Sequence, residues 1–123
     1  MFVETHTSLL DRWYRLGTRI RCALEPDEPR LLELYLFETR YLVAWEPLPA
    51  WQLFEKSFQL LLDTAADVAL PWHWRGLCLD HAYRPLCDLR RLAGDAERRQ
   101  RLQQLSRRLA TQPMAPSLTY HDL

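Results

Sequence analysis

The sequence predicts an all-α protein, a small up-and-down helical bundle with four main helices and one that proline breaks. Apolar residues recur at spacings of three and four over most of the chain, which is the period of a helix burying one face. No run alternates apolar and polar residues as a half-buried strand does. Proline and glycine fall between the periodic segments, where helices stop and start.

The first helix is expected from Ser8, which with Asp11 forms a capping box in which a shorter acid replaces the usual glutamate. Leu9, Trp13, Leu16, Ile20 and Leu24 supply its apolar stripe, and Arg12, Arg15 and Arg19 its opposite face. The EPDEPR segment ends this helix and begins the second, with Asp27 as N-cap and Pro29 in the first turn, where its missing N–H is harmless. Running to Trp45, the second helix has Leu31, Leu34, Tyr35, Leu42 and Trp45 on one side, with Leu32, Leu36 and Val43 well round from them. A helix apolar over so much of its circumference is expected at the centre of the bundle. After the EPLPAW linker, a third helix over Ala50 to Ala69 carries Phe54, Phe58, Leu61, Ala65 and Val68 on one stripe.

Pro71 opens a fourth helix, Trp72 to Ala82; Pro85 interrupts it, and a further piece runs from Leu86 to Ala93. Gly94 suits the position after a helix end and Asp95 the N-cap of the last helix, whose Arg98, Leu102, Leu105 and Leu109 align before Pro113. Residues 1–123 form one domain, with 113–123 expected as a flexible tail.

Composition excludes several classes. With 48% hydrophobic and 26% charged residues the chain has globular proportions. It lacks an apolar run near the ~18 residues of a spanning helix. The N-terminus shows no basic-then-apolar signal pattern, so a cytoplasmic location is expected. Three cysteines without CxxC spacing suit a reducing compartment and read as small buried hydrophobes. The 16 basic and 16 acidic residues cancel, against a nucleic-acid or membrane binder. They are unevenly placed: residues 1–70 hold eleven acids and seven bases, and 71–123 five acids and nine bases. Acidic helices packed beside basic ones explain that split, and self-association as a homodimer or an acidic partner is the other reading. Arg98, Arg99, Arg101, Arg107 and Arg108 lack interleaved aromatics and read as a solvated face.

The segment LPWHWRGLCLDHAYRPLC concentrates chemistry-bearing side chains. His73 and His81 lie eight residues apart, ~12 Å along a helix axis, too far to share one ion directly. Cys78 and His81 supply two ligands of a site that needs more, and no CxxC, HExxH, CxxCH or ExxH pattern completes it. Neither a phosphate loop nor a nucleophile elbow is present, so no enzyme and no cofactor are expected. Trp72 and Trp74 point ~200° apart on a helix. Trp72, His73, Trp74, Arg75, His81 and Arg84 are therefore the candidate partner-binding surface, Trp and Arg being the usual anchors of binding hot spots. The alternative is a metal- or haem-binding helical protein using Cys78, His81 and His73.

IRCALEPDEPRLLELYLFETRYL together with LLLDTAADVALPWHWRGLCLDHAYRPLCDLRRLA resembles the FagA family, small fumarase-associated proteins of pseudomonads. The similarity spans Trp13 to Ala93, and EPDEPR and LPWHWR are its distinctive strings. The resemblance implies a gene context beside an iron-independent class of fumarase and a manganese superoxide dismutase, under iron-dependent repression. It implies a role in iron limitation and oxidative stress, with the neighbouring fumarase or dismutase as protein partners, and no catalytic residue.

Overall fold

The computed structural model describes residues 4–118. These form α1 (Glu4–Arg21), α2 (Arg30–Trp45), α3 (Ala50–Ala66), α4 (Trp72–His81), α5 (Tyr83–Leu92) and α6 (Ala96–Ala110), with no strand among them. The protein is all-helical.

Helix starts and stops follow local chemistry, and several depart from the sequence expectation. The first helix already includes Glu4, so Ser8 lies inside α1 and not at its start. It closes in a Schellman motif: Leu24 N–H reaches the Arg19 carbonyl and Ala23 N–H that of Ile20, both at 3.0 Å, with Ala23 left-handed at φ 50°. The chain turns there, and Leu24, expected in the core, is exposed. Asp27 does not cap α2. Pro29 precedes the first helical residue, and the Glu28 carboxylate accepts the Arg30 N–H at 3.2 Å. The third helix ends at Ala66, short of the expected Ala69, because the Asp67 carboxylate takes the Ala69 N–H at 3.0 Å. Pro85 sits in the first turn of α5, where no N–H is missed, so Ala82 alone separates α4 from α5. Asp95 caps α6 as expected, accepting from Arg98 N–H at 2.7 Å.

The central helix is α3, which packs against α1, α2, α4 and α5. This corrects the expectation that the second helix holds the centre. Buried Ser57, Thr64 and Ala65 let neighbours approach α3 closely, around Phe58, Leu61 and Leu62. Its expected stripe is buried through Phe54, Phe58, Leu61 and Ala65, while Val68 lies past the helix end and is half-buried.

Side-chain ties set helix directions. Tyr14, Gly17 and Arg21 of α1 meet Lys56, Leu60 and Asp67 in the same order, so α1 runs alongside α3. Glu55 and Asp63 of α3 pair with Arg101 and Arg108 of α6, again in order. Between α1, α2 and α3 a buried polar cluster fixes register: Trp13 Nε1 donates to Thr39 Oγ1 at 2.7 Å, Thr39 donates to the Tyr35 carbonyl at 2.8 Å, and Ser57 Oγ lies 3.2 Å from Thr39. Trp13 and Tyr35 stack with centroids 5.6 Å apart. After α6 the chain returns to the body, where Leu118 N–H donates to the Val68 carbonyl at 2.8 Å. Residues 119–123 of the expected tail lie outside the described residues.

Candidate functional site

Half of α2 faces the core and half faces solvent. Leu31, Leu32, Tyr35, Leu36 and Leu42 point inward. Leu34, Phe37, Tyr41 and Trp45, spaced three, four and four, line the other side and are 37%, 63%, 40% and 72% exposed. Phe37 and Tyr41, and Tyr41 and Trp45, have ring centroids 6.4 Å apart, so the three rings form one continuous ridge.

Ion pairs border the ridge on both sides. Toward α1, Arg12 Nε lies 2.9 Å from Glu38. Toward α4 and α5, Glu33 accepts from Arg84 at 2.8 Å and lies 3.3 Å from His81 Nε2, while Asp88 accepts from Arg40 at 3.1 and 3.2 Å and also pairs with Arg91. The Arg84 hydrogen bond holds the Glu33 carboxyl below its usual value, against the opposing effect of burial. An apolar centre with a neutralised polar border is the anatomy of a protein interface.

The six side chains singled out in the Trp-rich segment do not share one surface. Trp74 is fully buried and donates to the Ile20 carbonyl at 3.0 Å, pinning α4 to the end of α1. Arg75 is fully buried too: Nε donates to the Ala65 carbonyl at 2.8 Å, and one terminal nitrogen to Ser117 Oγ at 2.8 Å. Its guanidinium lies 5.1 Å from the ring centroid of Trp72, which is 51% exposed. His73 is exposed and sits 3.0 Å from the Pro26 carbonyl, beside the loop that leads into α2. His81 and Arg84 join the α2 border through Glu33. The sequence expectation sets Leu34 and Trp45 on one side with Leu31, Tyr35 and Leu42 and leaves out Phe37 and Tyr41; the structure separates the two sets, although the three, four, four spacing of the ridge already marks a second apolar face.

The side chains expected as metal ligands in the alternative reading are likewise dispersed. Cys78 lies in the core, where burial pushes its thiol up to about 12. His81 is held between the Leu77 carbonyl, at 2.8 Å, and Glu33. Among the described residues, no three His, Cys, Asp or Glu side chains come together as a metal site requires. Among the described residues, no helix is long and apolar enough to cross a membrane. No protein-family model, curated protein or solved structure matches the chain.

Proposed function

We propose that the protein is a non-catalytic cytosolic interaction factor of the iron-limitation response, built as an up-and-down bundle that docks a partner protein on the exposed face of α2. The observation that carries this reading is the ridge of Leu34, Phe37, Tyr41 and Trp45, which none of the described elements covers. His81 and Arg84 border it, His73 flanks the approach to α2, exposed Trp72 covers the Arg75 guanidinium, and Trp74 and Arg75 hold the supporting helix from within. Iron limitation enters through the resemblance to the FagA family, which also nominates the iron-independent fumarase and the manganese superoxide dismutase as partners.

Patch size favours a partner with a groove over a second copy of the chain. At 150–250 Å² per fully buried aromatic, the exposed fractions of the three rings amount to roughly 250–450 Å², the size of functional patches on monomers. Two such ridges meeting would bury roughly 500–900 Å², below the ~1,200 Å² at which stable interfaces begin. A groove adds its own walls to the contact and reaches that size more readily.

Isothermal titration of the purified chain against each of the two enzymes tests the proposal. Saturable binding to one of them, weakened roughly tenfold or more by Phe37→Ser/Trp45→Ser with helicity unchanged, is the expected result. Binding to neither, or equal binding by the variant, overturns it. A dimer seen by light scattering and abolished by the same variant would replace the partner with a second copy.

A further inference from the structure

We infer that the groove between α1 and α3 binds a small apolar carboxylate, an aromatic or alkyl body carrying one negative head. The groove has a volume of about 430 Å³, within the usual range of ligand pockets, and lies apart from the α2 ridge. Trp13, Tyr14, Tyr35 and Leu60 form apolar walls. Gly17 shapes the floor: a Cβ there would lie 3.1 Å from Leu60 Cδ1 and 3.4 Å from Tyr35 Cε1, so its absence leaves room between α1 and α3.

Charge selects the ligand class. The ionic side chains lining the groove are Lys56 and Arg21, both cationic, and no carboxylate lines it. Lys56, the chain's single lysine, meets the Tyr14 hydroxyl at 3.2 Å and stands 5.6 Å from its ring centroid, with no ion pair to a described carboxylate. Arg21 uses one terminal nitrogen on Asp67 at 2.8 Å and has further N–H donors on the same planar fork. A carboxylate at the mouth would gain charge-assisted hydrogen bonds from Lys56 and Arg21 while its body displaces water from the aromatic walls. Cys22 lines the same groove and is exposed, so its thiol reports occupancy.

The test titrates the full chain calorimetrically with phenylbutyrate and with its neutral amide. Phenylbutyrate is expected to bind saturably, one per chain, and to slow alkylation of Cys22. The amide, and phenylbutyrate on Lys56→Gln, should bind roughly tenfold more weakly or worse, the loss expected for one hydrogen bond to a charged group. Lys56 is exposed, so that variant keeps the fold. The Phe37→Ser/Trp45→Ser variant should bind phenylbutyrate unchanged, which separates this groove from the ridge. Equal binding of acid and amide, an unaffected Lys56→Gln, transfer of the effect to the ridge variant, or no saturable heat at millimolar ligand overturns the assignment.

Discussion

Replacing Thr39 with valine keeps the side-chain shape and removes one oxygen from the cluster that joins the first three helices. In the native protein that oxygen accepts the Trp13 indole N–H at 2.7 Å and donates to the Tyr35 carbonyl at 2.8 Å, and Trp13, Thr39 and Ser57 are all buried. The Tyr35 carbonyl loses little, because an i to i−4 hydroxyl bond supplements its helical hydrogen bond. Trp13 loses its acceptor where water does not reach, and an orphaned buried donor costs about 1–3 kcal/mol. A methyl group replaces the hydroxyl in the same branch, so no cavity opens, and Thr39→Val should destabilise by about 1–3 kcal/mol. Urea melts followed by far-ultraviolet circular dichroism, with an unchanged slope, measure it. Trp13→Phe removes the donor at the cost of a cavity, and adding Thr39→Val to it should cost less than Thr39→Val alone. The difference in that double-mutant cycle is the indole–hydroxyl coupling. A loss below ~0.5 kcal/mol for Thr39→Val, or strict additivity in the cycle, would refute the role given to this hydrogen bond.

Ala23 occupies the left-handed position of the α1 Schellman motif at φ 50°, where glycine carries no steric penalty. Ala23→Gly should raise stability by about 0.5–1 kcal/mol in the same melts, after the unfolded-state entropy of glycine is deducted. An unchanged or lowered midpoint would show that the turn tolerates the methyl group. Burial raises Cys78 from 9 to about 12 and Tyr35 from 10 to about 12. Both folded values lie above the unfolded ones, so this stability is complete below pH 9 and drains as the unfolded chain ionises, Cys78 first and Tyr35 from pH 10, until the folded groups titrate near 12. Melting temperature should therefore fall from pH 9 upward, and Cys78→Ala should delay the fall by about one pH unit, to the onset set by Tyr35. A native protein whose Cys78 is alkylated as readily as exposed Cys22 at pH 8 would contradict the burial behind this.

Much of the fold was legible because the signals were local. Asp95 caps α6 through its own side chain, and the Phe54, Phe58, Leu61 and Ala65 stripe needs only helical geometry to line up. Errors arose where a tertiary or turn interaction interrupted a periodic pattern. Leu24 continues the spacing of Trp13, Leu16 and Ile20, yet the Schellman turn at Ala23 has already ended the helix. Val68 continues the α3 stripe, but Asp67 folds back on Ala69 and stops it, helped by its 2.8 Å bond to Arg21 from a distant helix. In the Trp-rich segment the sequence placed Trp72 and Trp74 on opposite faces, as observed, without deciding which face met the core. Arg75 belongs to the expected partner-binding surface because Trp and Arg are the usual anchors of binding hot spots, yet it is fully buried. Its burial depends on the Ala65 carbonyl and Ser117, ten and forty-two residues away.

The same limit explains the exchange of roles between α2 and α3, and residue size distinguishes the two helices. Both are apolar over more than one face. On α3 the buried positions beside the main stripe include Ser57 and Thr64, small enough for neighbouring backbones to come within the ~8–10 Å of packed helices. On α2 the second face is Leu34, Phe37, Tyr41 and Trp45, whose rings hold any flat neighbour away and instead project as a ridge. Anchors at i, i+3, i+7 and i+11 are the pattern of a helix that enters a groove. Burying the open ring area, at ~25 cal/mol per Å², yields roughly 6–11 kcal/mol, comparable with the ~4–15 kcal/mol that association consumes. The ridge alone therefore supports a weak complex, and a firm one requires a preformed groove together with contacts along the Glu33, Arg84 and His81 border. Small residues on a second apolar face mark a helix for the interior of its own fold; large aromatic ones mark it for another molecule.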